Sequence, residues 1–152
     1  MNKHKHSSLN SQSMDINSLL SAVDNEANEG LMELTHAKIK ATKNDMLQRL
    51  QLSREKLHQF HQKLKHYRYI DEFPDLKQGT YVRWIPLNDP KNIRLTNGGI
   101  VCSVYLDAGV NVVCKNHMNR MFQFKLSDSM VFQKITEQEE VLLSALDFLE
   151  KK

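Results

Sequence analysis

No stretch of this chain stays apolar for anything near the ~18 residues that a membrane-crossing helix requires, so no transmembrane segment is expected. The opening MNKHKHSSLNSQS has lysines but no apolar core behind them, which argues against a secretory leader and for an intracellular, soluble protein that is not secreted. Cysteine is scarce: Cys102 and Cys114 both fall in alternating, strand-like sequence, which excludes a disulfide framework and makes them small buried side chains. Phosphate-binding glycine loops, a His-Glu-x-x-His helix and a Gly-x-Ser-x-Gly elbow are all missing, as is any convergent carboxylate pair or nucleophile with its base. An enzyme is therefore not expected and no catalytic residue is assigned. Cys114 and His117 have a ligand-like spacing and Cys102 can be counted as a third donor, but no fourth follows, so neither a metal site nor a cofactor is expected.

Charge is unevenly spread. The net +3 divides into about −3 over residues 1–35, about +7 over 36–68 and about −1 over 69–152. One segment carries the basicity.

Residues 1–14 are rich in Ser, Asn, Lys and His and read as a disordered tail. A helical region follows over 15–70. It begins with Ile16, Leu19, Leu20 and Val23 at helical spacing behind Asp15 and is expected to stop near Gly30. From Leu31 to about Tyr69 there is no Gly or Pro, which predicts one basic helix roughly 58 Å long at about 1.5 Å per residue. Met46, Leu50, Leu57, Phe60 and Leu64 form the better half of a heptad seam and are the candidate surface for a partner. Arg49, Lys56 and Lys63 border it on one side, with Arg54, His61 and Arg68 on the other. Like charges would face each other in a two-stranded self-pairing, so a simple coiled-coil homodimer is disfavoured.

Phe73-Pro74 ends the helical pattern, and residues 71–135 turn to short alternating runs separated by Asn97-Gly98-Gly99, Asp107-Ala108-Gly109 and Ser127-Asp128-Ser129. Thr80 to Ile85, a stretch beginning at Ile93 and continuing over Ile100 to Leu106, Val110 to Lys115, Met121 to Leu126 and Met130 to Ile135 give about five strands. Five short strands imply a small antiparallel barrel, SH3-like or Tudor-like by preference and OB-like as second choice. Residues 136–152 supply a short acidic helix that starts at a Thr136-x-x-Glu139 capping box and is expected to pack on the basic helix or to close one end of the barrel. The predicted class is α+β.

Two binding roles fit this composition. The first is non-enzymatic, salt-dependent nucleic-acid binding, with DNA as the favoured polymer, through Lys43, Arg49, Arg54, Lys56, Lys63, Lys65 and Arg68, joined by Arg83 and Arg94. Lys115 and Arg120 add a weaker secondary surface. The second is an assembly adaptor that docks on an acidic protein surface. Tyr81, Trp84, Tyr105 and Phe122 are the aromatic residues able to line a ligand-gripping mouth, although barrel core is their simpler use.

GTYVRWIPL, followed by LTNGGIV and later by MVFQKI, resembles short uncharacterised small-barrel proteins of nucleocytoplasmic large DNA viruses. The likeness covers residues 77–135 and not the basic helix. It implies a viral protein, placed in a virion or viral factory, with a structural or DNA-linked role.

Overall fold

Strand β1 (Tyr67–Ile70) stands where the helical pattern predicts the end of a rod, and it reorganises the fold. The computed structural model describes residues 16–150; the tail over 1–14, the Asp15 cap and the last two lysines lie outside the described residues. In chain order come helix α1 (16–24), a 3-10 turn (Glu26–Leu31), α2 (His36–Gln48), α3 (Arg54–Lys63), β1, then β2 (Tyr81–Pro86), β3 (Gly99–Leu106), β4 (Val110–Lys115), β5 (Met121–Lys125), β6 (Ser129–Lys134) and α4 (Glu137–Glu150). The chain divides into two units, residues 39–135 and, among those described, 16–38 with 136–150.

The single long helix is thus corrected to two short ones and a strand. Thr35 Oγ1 caps α2 by accepting from the Lys38 amide at 3.2 Å. Gln51 takes a left-handed backbone at φ 52°, and Ser53 caps α3 by accepting from the Lys56 amide at 3.2 Å. The break needs neither Gly nor Pro: a polar residue paying a modest conformational penalty and a serine cap suffice. Tyr-Arg-Tyr-Ile then alternates half-buried and buried positions, the period of a strand with one covered face.

The five-stranded barrel is likewise corrected. The sheet has six antiparallel strands in the order β1-β6-β2-β3-β4-β5 and is open, with β1 and β5 as its edges. β1 occupies the edge of β6 that closure would need, leaving β5 without a strand to close onto. Ile93 to Thr96 does not start a strand; it runs beside β2 as a loop, Thr96 N donating to the Trp84 carbonyl at 2.9 Å and Thr96 Oγ1 accepting from the Trp84 amide at 3.1 Å.

Alternation along the strands sorts the side chains into two cores. Val82, Trp84, Val101, Val112, Cys114, Val131 and Ile70 share the inner face. The sheet curls strongly there: Trp84 of β2 stacks on Phe124 of β5 at 4.5 Å between ring centroids, whereas three flat strand spacings would separate them by ~14 Å. Burial, with a lesser push from Cys102, raises the Cys114 thiol to about 12. On the inner face Gln133 ties down the segment before β2: its Oε1 accepts from the Lys77 amide and Thr80 hydroxyl, both at 2.9 Å, and its Nε2 donates to the Asp75 carbonyl at 3.0 Å. The outer face over β1, β6 and β2 is the second core, where Leu47, Phe60 and Leu64 of the helical pair and its following turn cover Ile85, Met130 and Phe132.

In the other unit, Thr136 and Glu139 form the capping box of α4, the Thr136 amide donating to Glu139 Oε1 at 2.9 Å and the Glu139 amide to Thr136 Oγ1 at 3.1 Å. Gln138 Oε1 accepts from Asn25 Nδ2 at 2.9 Å and Asn28 Nδ2 at 3.1 Å. His36, the first residue of α2, is clasped by Asp147 and Glu140 of α4, one carboxylate on each ring nitrogen. Burial by itself lowers the His36 pKa, but the hydrogen bonds to Asp147 and Glu140 and the charges behind them outweigh it, and the net direction is upward.

Because the His36 pKa is raised on folding, its clasp contributes fully below the unfolded value of about 6.5 and is lost as pH rises through the folded value. Urea unfolding of wild type and His36→Gln across pH 5 to 9 is expected to show the largest stability difference at the acid end, shrinking as pH rises. A second expectation concerns the turn before β3. Gly98 has φ 85°, and an added Cβ would lie 2.2 Å from the Val82 carbonyl oxygen; Gly79 has φ 86° but nothing within 4 Å. Gly79→Ala should cost only the backbone term, about 1 kcal/mol, and Gly98→Ala should cost more than about 3 kcal/mol, read as the difference in urea midpoint.

Candidate nucleic-acid interface

Folding the basic segment into two helices separates cations that one rod would have aligned. Lys43 is buried on α2, and its ammonium donates to the carbonyls of Leu64 at 2.8 Å, Tyr67 at 2.9 Å and Lys65 at 3.5 Å. It sits on the carbonyl end of α3, where cations are favoured, and bridges that end to β1. Burial, then the charge of Lys40, pulls its pKa down. Lys56 is also held inward, donating to the Ile93 carbonyl with its ammonium 5.9 Å from the Phe60 ring centroid. Arg68 is buried on the inner face of β1, and Arg83 is half-buried, donating from Nε to the Thr96 carbonyl at 2.8 Å.

Five of the expected contact residues remain at the surface: Arg49, Arg54, Lys63, Lys65 and Arg94 are all exposed. Among the described residues, no carboxylate comes within 4.0 Å of any of the five cationic heads. Lys40 joins them as an exposed cation on α2. Between the helices, His61 Nε2 and Asn44 Oδ1 are 3.1 Å apart, so the ring nitrogen donates and the amide oxygen accepts. Burial lowers the His61 pKa, and the charges of Lys43, His58 and Lys40 lower it further.

The imbalance extends over the whole sheet unit. Residues 39–135 hold sixteen Lys and Arg against eight Asp and Glu, a net +8, while the remainder of the chain holds five against ten, a net −5. Division by sequence blocks understates this, because the acidic residues at the two ends of the chain belong to one unit and the cations to the other.

The expected partner seam is internal. Phe60 and Leu64 are buried, and Met46, Leu50 and Leu57 pack around them against the sheet. Of the aromatic candidates, Trp84 is core, Phe122 lies 6.4 Å from it between ring centroids, Tyr81 donates its hydroxyl to the Asn97 carbonyl at 2.6 Å, and Tyr105 accepts from Gln123 Nε2 at 2.7 Å. They do not converge on one mouth. Sequence reasoning missed the structural duty of Lys43, and it also missed the exposed apolar edge at Met118, Met121 and Phe122; the signal for that edge was the run NHMNRMFQFK, which has aromatic and methionine residues but no acid.

Among the described residues, no group of His, Cys, Asp and Glu is placed to hold a metal ion, and no helix is long and apolar enough to cross a membrane. The chain matches no protein-family model, no curated protein and no solved structure.

Lys43→Met removes a charged donor from three carbonyls while keeping the length of the side chain. It is expected to destabilise the protein by about 2–3 kcal/mol, measured by urea unfolding, against less than about 0.5 kcal/mol for Arg49→Gln at the surface. Equal effects of the two would refute the bridging role of Lys43.

Proposed function

We propose that the sheet unit is a non-enzymatic nucleic-acid-binding module that contacts phosphates through Arg49, Arg54, Lys63 and Lys65 with help from Lys40 and Arg94. The observation that supports this reading is the set of exposed cations that, among the described residues, have no carboxylate within 4.0 Å, on a unit of net +8. Such side chains release counterions when they meet phosphate, so binding is salt-dependent and nearly blind to base sequence. Lys43, Lys56 and Arg68 support the scaffold instead of touching the ligand. DNA is the favoured polymer, and the viral setting implied by the resemblance over residues 77–135 belongs to the same proposal.

Titration of a labelled DNA duplex at 50 and 200 mM salt tests it. Affinity is expected to fall steeply with salt, and replacing Arg49, Arg54, Lys63 and Lys65 together by Gln should reduce the slope of log K against log salt by about 3.6, near 0.9 for each lost phosphate contact. Polyanion binding should also raise the His61 pKa, followed through its ring proton shifts, because phosphate offsets the neighbouring cations. No binding at 50 mM salt, or a slope unchanged by the four substitutions, would overturn the proposal.

A further inference from the structure

The two edges of the sheet are not equivalent. β1 is four residues long and carries Arg68, and the Tyr67 carbonyl is taken by Lys43. Those are the usual protections of an edge: shortness, an inward charge and an occupied backbone group. β5, at five residues, is scarcely longer, but among the described residues it has neither an inward charge nor an occupied backbone group on its free side. It pairs with β4 alone, and the backbone hydrogen bonds among the described residues give it no partner on its other side. It contains no proline and no bulge.

The side chains at this edge are apolar and exposed: Met118 by 61%, Met121 by 57% and Phe122 by 44%. Register places the side chains of β5 on definite faces. Phe122 lies opposite Cys114 and Phe124 opposite Val112, so both rings point to the inner face beside Trp84. Met121 lies opposite Lys115, in line with Ile100 and Tyr81 across the outer face. Every charged residue between Val110 and Leu126 is a cation, namely Lys115, Arg120 and Lys125. Lys125 reaches the Ala108 carbonyl at 3.3 Å, while Lys115 and Arg120 are exposed.

We propose that β5 captures an extended segment of a partner protein that alternates apolar with acidic residues, adding it as a seventh, antiparallel strand. Backbone pairing supplies the register, and the period of two then separates the partner's side chains. Apolar residues fall beside Phe122 and Phe124, extending the inner core over its open side. Acidic residues fall on the outer face, which carries Lys125 on β5 and Lys115 on β4. A second copy of this chain fits less well, since two units of net +8 would be brought edge to edge.

The test uses the full chain labelled with 15N and a capped nine-residue peptide alternating valine and glutamate. Saturable shifts are expected at the amides of residues 121–125, with slowed exchange of their outward-facing protons. A peptide with lysine in place of glutamate should bind at least tenfold more weakly, and methylating the edge-facing amides of the glutamate peptide should abolish binding. Phe122→Ser and Lys115→Glu are surface changes whose folding is checked by the dispersion of the same spectrum, and each should weaken binding several-fold. No shift at these amides with millimolar peptide, or equal binding of the lysine peptide, would overturn the proposal. Concentration-dependent shifts of β5 without peptide would replace it with self-pairing, and displacement of the peptide from β5 by a single-stranded oligonucleotide would reassign the edge to nucleic acid.

Discussion

The ammonium of Lys43 holds the end of α3 and the start of β1 to α2, and the fold depends on that junction. A buried cation is costly unless its donors are satisfied, and here the acceptors are the carbonyls of Leu64 and Lys65 just past α3 and of Tyr67 in β1. The charge solves two problems at once. With α2 and α3 drawn together, Leu47, Phe60 and Leu64 face one direction and cover Ile85, Met130 and Phe132 on the sheet. With β1 held directly after α3, the sheet gains a sixth strand and cannot close.

That arrangement divides the outer face of the sheet. The half formed by β1, β6 and β2 lies under helices, whose far sides carry the exposed cations. The half formed by β3, β4 and β5 has no helix in its core cluster and keeps Ile100, Tyr105 and Met121 at the surface. The helices present charge without shape, and the β5 edge presents shape with a definite register. The two proposed modes of recognition differ accordingly, long-range and salt-sensitive in one case and short-range and directional in the other.

Much of the β region was legible because its signals are local. Asp107-Ala108-Gly109 separates two alternating runs, and the observed strands β3 and β4 begin and end within a residue of the runs on either side. The capping box at Thr136 reports the start of α4 in the same way. The helical region misled because its apolar spacing suits a coiled-coil seam and a pair of short helices equally well. Ser53 was the clue: it stands seven residues after Met46 and seven before Phe60, where the seam calls for an apolar residue, and a serine there followed by Arg54 and Glu55 is better explained as an N-cap with an acid in the first turn. Tyr67 to Ile70 offered a second clue, two aromatic residues and an isoleucine alternating about one arginine.

For the interface, residue type could be read from the chain but destination could not. Composition alone determined that cations concentrate between residues 36 and 68 and that the strand region is rich in turns and alternating runs, because both are properties of neighbouring residues. Tertiary structure decided which cations remain at the surface. Lys43 and Arg68 go inside while Arg49, Arg54, Lys63 and Lys65 stay out, since burial depends on what packs across the sheet and not on what stands nearby in the chain. It also decided that the sheet is open, because whether β6 pairs with β1 or is left for β5 is a competition between strands more than 50 residues apart in one case and close in the other, and alternation is the same for both outcomes.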